Sequence, residues 1–418
     1  MATRAVTAAT RELSTINVDN SKLASQHWRA DTGNCGMTQG LEGVVAASTR
    51  LSHVDGEAGQ LILAGYAVED LAPHATFEEV AYLFLHGRLP EPAELVAFAR
   101  DLAGRRLLPR VAFEVLHEAA AAKAPVIDAL RMATALLSLG RKEDPLDDSM
   151  TAIASFPTIV GSYWRLLNGE TPVAIRTDLS QAAHYLHQLF GTEPTPERAR
   201  ALETYLNTIC DHGLNASTFA ARVIISTRSD VISAITGAVG ALKGPLHGGA
   251  PGPALDMVFE IGAPERAEAF IRAKLDRGER IMGFGHRVYR VRDPRADVLA
   301  QAAERFFSGD GDKSLYSLAR SVETTALRLL REYKPERRLD TNVEFYTALL
   351  LHGIGLPTQL FTPTFAVGRV LGWSAHCLEQ LAEGKLIRPQ SVYVGPKGLH
   401  YDRAPAGVIS SESGTPRR

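Results

Sequence analysis

The chain has 418 residues, of which 45% are hydrophobic, 22% charged and 7% aromatic, a makeup that fits a globular protein and excludes a disordered or collagen-like one. Its 45 Lys and Arg against 47 Asp and Glu leave a formal charge of −2, so no global field recruits nucleic acid or an anionic membrane. At this length a single core stops growing efficiently, which predicts two domains or one large domain with a smaller lobe.

Residues 1–39 show no sustained period and read as an N-terminal arm; they lack the apolar core of a secretory signal. Asp55-Gly56 is a turn signal between Ser48–Val54 and Gln60–Ala64, which predicts a small β hairpin. From there the pattern is helical. Thr76 with Glu79 makes a capping box, Phe77, Val80, Ala81, Phe84 and Leu85 form an apolar stripe, and Gly87 with Pro90 ends the segment. The same logic predicts helices over Pro92–Ala103, Pro125–Leu139, Ala152–Leu167 and Pro196–Cys210, the last capped by Thr195 with Pro196 in its first turn. Asp230 opens another, with Val231, Ile232, Ile235, Val239 and Leu242 on one face and Gly244-Pro245 closing it. Further helices fit Glu265–Arg277, Pro294–Phe307, Ser314–Glu332, Val343–Leu351 and Pro363–Leu381, so the chain reads as mostly α. The polar stretch 410–418 reads as disordered.

Cys35, Cys210 and Cys377 lie far apart, which excludes a disulfide framework or a cysteine zinc site and reads as buried apolar filler in a reducing compartment. No apolar run of about 18 residues exists to span a bilayer. The expectation is a cytoplasmic protein.

Four stretches set polar, Gly-flanked residues beside strongly helical segments: CDHGLNASTFAAR (210–222), GPLHGGAPG (244–252), IMGFGHRVYRVRDPR (281–295) and LDTNVEFY (339–346). Neither a P-loop nor a dinucleotide glycine fingerprint occurs, which argues against a P-loop kinase and a Rossmann dehydrogenase. His247 is trailed by Gly248 and Gly249, so backbone there can approach a ligand closely. His286 is followed by Arg287, Arg290, Arg292 and Arg295, a density of positive charge suited to anionic ligands, or to a solvated basic face. Asp293-Pro294-Arg295 argues for the ligand, because it reads as an N-cap, a first-turn proline and a positioned guanidinium. His212, taken alone, is a structural histidine near helix-capping Asn215, Ser217 and Thr218. No histidine spacing points to a metal.

Taken together and in order, DHGLNASTFAAR, KGPLHGGA, MGFGHRVYRVRDPR, NVEFYTALLL and FAVGRVLGWSAHCLEQ resemble the citrate synthase family. The opening GLEGVVAASTRLSHVDGEAGQLILAGYAVEDL does so too, and the likeness runs from about Gly40 to about Val394. The resemblance implies an almost all-α fold in two domains, a large one over 40–248 and 356–418 and a small one over 249–355, closing over a cleft in a homodimer. It implies condensation of acetyl-CoA with oxaloacetate, followed by hydrolysis of the thioester. By position, His247 matches the family's hydrogen-bond donor to the thioester oxygen, His286 its oxaloacetate-polarising histidine, and Glu344 its carboxylate base. His212, Arg295 and Arg369 match oxaloacetate contacts, and Arg388 the arginine supplied by the other subunit. The CoA contacts implied are Ile281, Met282, Gly283, Gly285 and Arg290, with Arg337 a further arginine of the same type. The CoA thioester is a substrate, so no cofactor and no metal is expected.

Three positions depart from the family pattern. Glu344 stands where Asp is usual, keeping the carboxylate but moving it by about an ångström, a shift that can cost on the order of a hundredfold. Gly213 replaces a common Glu, and Thr347-Ala348 replace Ser-Gly beside the base. Two other readings stay open. One is a 2-methylcitrate synthase, because one methylene is worth only about 1–3 kcal/mol of discrimination. The other is a paralogue that binds acyl-CoA or oxaloacetate without condensing them.

Overall fold

In the computed structural model of the chain, residues 39–41, 43–248, 252–285 and 288–399 are described. The sequence-predicted arm (but for Gln39), Cys35, Gly249, His286 and the 410–418 tail lie outside the described residues. The chain divides into two compact units, Ala47–Ile387 and a second formed by Met1–Ala46 with Arg388–Arg418. In the second unit Gln39–Leu41 forms a short 3₁₀ turn and the Tyr393 hydroxyl donates to the Pro396 carbonyl at 2.8 Å.

The larger unit is helical, as its sequence pattern predicts, with one small antiparallel sheet. Strand β1 (Ser52–Asp55) pairs with β2 (Gln60–Leu63), and β2 with the short β3 (Tyr66–Ala67). The expected hairpin is therefore present, but its first strand starts at Ser52 rather than Ser48 and a third strand completes it. Asp55 accepts from the backbone N–H groups of Glu57 and Ala58, which shapes the turn.

Sixteen α-helices follow among the described residues. The first eight are α1 (Val68–Leu71), α2 (Phe77–His86), α3 (Pro92–Gly104), α4 (Arg110–Ala121), α5 (Val126–Ala135), α6 (Pro145–Leu167), α7 (Gln181–Phe190) and α8 (Pro196–Ile209). The others are α9 (Ala216–Ser226), α10 (Val231–Leu242), α11 (Gly252–Ile261), α12 (Ala267–Asp276), α13 (Pro294–Gly309), α14 (Lys313–Tyr333), α15 (Val343–Gly353) and α16 (Phe361–Glu383). The capping box at Thr76 and Glu79 is formed in full, and Thr195, Asp230 and Asp293 cap α8, α10 and α13 as their sequence signals predict. Helices α4 and α7 carry no expectation from the sequence reading, and α6 begins at Pro145 rather than Ala152 because Asp144 caps it there.

Helix α6 is buried on every side between Asp148 and Tyr163, and α16 runs against it and against α9, so these two long helices form the spine of the core. Helix α10 lies on α9, α13 on α8 and α15, and α12 on α14. The chemistry-bearing segments sit where these helices begin and end. Cys210 and Cys377 are fully buried, as expected of apolar filler. No helix among the described residues is long and apolar enough to cross a membrane, and no group of His, Cys, Asp and Glu there could hold a metal.

Candidate active site

Glu344 enters the site because Asn342 stops the preceding extended segment and caps α15, its Oδ1 accepting the Glu344 N–H at 3.0 Å. That places the carboxylate in the first helical turn. The segment is held from behind by 283–285: Asn342 N donates to Gly283 O at 3.0 Å, Asn342 Nδ2 to Gly285 O at 2.8 Å, and Gly285 N to Asp340 O at 2.8 Å. Gly283 has φ +85° and a Cβ there would meet Phe345 at 3.0 Å, so only glycine lets the two segments lie this close.

His247 follows the end of α10 on a turn closed by its own N–H to Gly244 O at 3.0 Å. Its Nε2 lies 2.7 Å from Ser217 Oγ, which also receives the indole N–H of the fully buried Trp373 at 3.0 Å and lies 2.8 Å from Asn215 Oδ1. The hydroxyl has one hydrogen to give. The Asn215 amide oxygen can only accept, so that hydrogen goes to it and Oγ accepts from His247 Nε2–H, while Nδ1 has no partner among the described residues. Burial, with Arg369 nearby, pushes the imidazole down to about 4, so the ring is neutral at neutral pH.

His247 and Glu344 line the same cavity of about 100 Å³, whose remaining walls include Ile209, Leu242, Val343, Phe361 and Phe365, with Thr347 beside the carboxylate. Burial raises the Glu344 carboxyl above its ordinary range, Arg295 opposing and Asp293 adding to the shift.

Arg295 is buried and gripped by Asp293 through Nε at 3.1 Å and Nη2 at 2.9 Å, while the same carboxylate caps α13. Its guanidinium lies 5.9 Å from the ring centre of Tyr289, whose hydroxyl is 3.1 Å from His212 Nε2. Arg369 donates from Nε to the Ile209 carbonyl at 2.6 Å and rests 4.5 Å from the Phe365 ring centre. Its two terminal nitrogens have no hydrogen-bond partner among the described residues. Burial pushes this guanidinium down to about 10. His212, Arg295, Arg369, His247 and Glu344 are thus linked by contact or by field.

Ile281 is buried and Met282 partly exposed; the Arg290 backbone N–H donates to Gly56 O at 2.7 Å while its side chain is exposed. Arg337 is exposed on the turn after α14, and Arg388 is an exposed residue of the second unit. Sequence reasoning missed the roles of Ser217, Trp373 and Tyr289: Ser217 was in hand only as a capping residue, and only the fold brings Trp373 to it.

A neutral imidazole and a raised carboxylate on one apolar cavity, both in the field of buried guanidinium groups, define an enzyme able to remove a proton beside a carbonyl and hold an anionic substrate. A profile of the family described as "Citrate synthase, C-terminal domain" matches residues 40–390. The citrate synthase of Haloferax volcanii is 39% identical over 377 residues, covering 87% of this chain and 97% of the relative. A 2-methylcitrate synthase of Shewanella oneidensis is 40% identical, covering 85% and 94%. The solved ternary complex of Thermoplasma acidophilum citrate synthase with carboxymethyl coenzyme A and oxaloacetate superimposes with a TM-score of 0.76 at 32% identity, covering 87% and 98%. The chain belongs to the citrate synthase family, and it is an enzyme of the transferase class.

Proposed function

We propose that the chain condenses acetyl-CoA with oxaloacetate and water to give citrate and CoA, an acyl transfer in which the acyl group becomes alkyl. The meeting of Glu344 and His247 on one apolar cavity carries this reading. The Glu344 carboxylate takes a methyl proton of the thioester, and the electron pair moves onto the thioester oxygen, where His247 stabilises it through Nδ1–H, the tautomer reached when the Ser217 hydroxyl turns from Asn215 to Nε2. The resulting nucleophilic carbon attacks the oxaloacetate ketone, polarised by His286, forming the new C–C bond. Water then cleaves the citryl thioester and releases CoA.

Arg295, Arg369 and His212 hold the dicarboxylate, joined by Arg388 from the other subunit of a homodimer. Ile281, Met282, Gly283, Gly285, Arg290 and Arg337 receive the CoA moiety. Residues 249–355 form the small domain, which closes on oxaloacetate bound against 40–248 and 356–418. CoA thioester is the substrate, no separate cofactor takes part, and the enzyme works in the cytoplasm.

Thiol release with oxaloacetate against acetyl-, propionyl- and butyryl-CoA tests the reading. Highest kcat/KM with acetyl-CoA is the expected result. A preference for propionyl-CoA, which the Shewanella relative supports, makes the activity that of a 2-methylcitrate synthase. Oxaloacetate binding without thiol release from any thioester overturns the catalytic assignment.

A further inference from the structure

The sheet β1–β3 has no part in the chemistry described so far, yet one of its side chains grips both neighbours of His212. Ser52 Oγ donates to Asp211 Oδ2 at 2.5 Å and accepts the Gly213 N–H at 2.8 Å. The roles are unambiguous, because a carboxylate oxygen only accepts and a backbone N–H only donates. The hydroxyl therefore closes a bridge across His212.

Both ends of the bridge are firm. Gly213 has φ +61°, a left-handed conformation that glycine adopts at no steric cost, so the glycine that replaces a common Glu of the family suits this geometry. Asp211 is wholly buried and its Oδ2 also faces His376 Nε2 at 3.3 Å. His376 Nδ1 lies 3.0 Å from Arg222 Nη1, Arg222 pairs with Glu379 at 2.7 Å, and Glu379 Oε1 takes the Arg50 N–H at 2.8 Å, just ahead of β1. Strand β1 is thereby tied to α16 by a buried ionic chain and to the 211–213 turn by Ser52. On its other side the His212 ring meets the Tyr289 hydroxyl.

We propose that Ser52 is a positioning residue that sets the His212 imidazole for oxaloacetate, making the sheet part of the apparatus that determines oxaloacetate affinity; this rests on the reading of His212 as an oxaloacetate contact. Ser52→Ala removes both bonds and frees the turn. It should raise the KM for oxaloacetate, and its calorimetric Kd, by roughly tenfold, the usual scale for losing an outer support of a ligand group, while kcat at saturation stays within about twofold. Ser52→Thr keeps the hydroxyl and should restore near-normal affinity. Ser52→Cys, a weaker donor of similar size, should fall between, and it serves as the second variant if the alanine form folds poorly.

The expected order of affinity is Ser and Thr, then Cys, then Ala. A folded Ser52→Ala or Ser52→Cys with unchanged oxaloacetate affinity overturns the inference, as does a Thr variant no better than Ala. His212→Ala separates the two layers of the argument. If it leaves oxaloacetate affinity unchanged, the reading of His212 fails; if it weakens affinity while the Ser52 variants do not, the inference about Ser52 fails alone.

Discussion

At the scale of single residues, Glu344 must be ionised to act as a base and His247 neutral to act as a donor with its lone pair engaged elsewhere. Burial raises the first and lowers the second to about 4, so the acidic limb of the rate profile belongs to Glu344. Protonation removes the base, so kcat/KM for the acyl-CoA should fall on acidification, with its inflection above the ordinary glutamate range. A profile of kcat/KM against pH checks the position. Glu344→Gln keeps the shape and loses the acceptor, so condensation should drop by about 10²–10⁴-fold while oxaloacetate still binds. Deuterium exchange into the acyl methyl group isolates that step. Ser217→Ala strands the buried indole N–H of Trp373 and the His247 ring together. It should lower stability by about 1–3 kcal/mol in denaturant unfolding, and lower kcat because no hydroxyl remains to donate to Nε2 in the tautomer that carries its hydrogen on Nδ1.

At the scale of elements, helix starts do most of the placing. Asn342 and Asp293 are caps, yet one places the Glu344 carboxylate in the cavity wall and the other grips Arg295. Asp293→Ala uncaps α13 and removes the carboxylate paired with buried Arg295, so it should cost roughly 3–5 kcal/mol and raise the oxaloacetate KM together, whereas Thr76→Ala, at the α2 capping box far from any ligand group in the sequence, should cost about 1 kcal/mol and leave kinetics unchanged. Thermal melts and steady-state kinetics on both variants separate the two effects. The small hairpin was read from Asp55-Gly56, but its third strand was not, because Tyr66–Ala67 is too short to carry a period and exists only by pairing with β2.

Across the whole molecule, the fully buried Arg222 joins α9 to α16 and to the chain ahead of β1. Removing it leaves Glu379 buried against His376 without its main counter-charge. Arg222→Ala should cost roughly 3–5 kcal/mol, measured by urea unfolding, and Arg222→Lys should recover only part because it lacks the forked donor. The same chain of charges carries the sheet to the 211–213 turn, so under the proposed role of His212 one support serves both long-range stability and oxaloacetate affinity.

Local signals were enough for most helices, since the apolar period, the Thr76, Thr195, Asp230 and Asp293 caps and the Gly stops act within a few residues of where they stand. Ordered motifs around His212, His247, Asp293-Pro294-Arg295 and Asn342-Val343-Glu344 likewise made the family legible before any coordinate. Burial on all sides of α6, the partnership of Trp373 with Ser217 and the grip of Ser52 across His212 were not legible, because each joins residues far apart in the chain. Hydrogen bonds and desolvation depend on which surfaces meet in space, and only packing the α6 and α16 spine against its neighbours decides that.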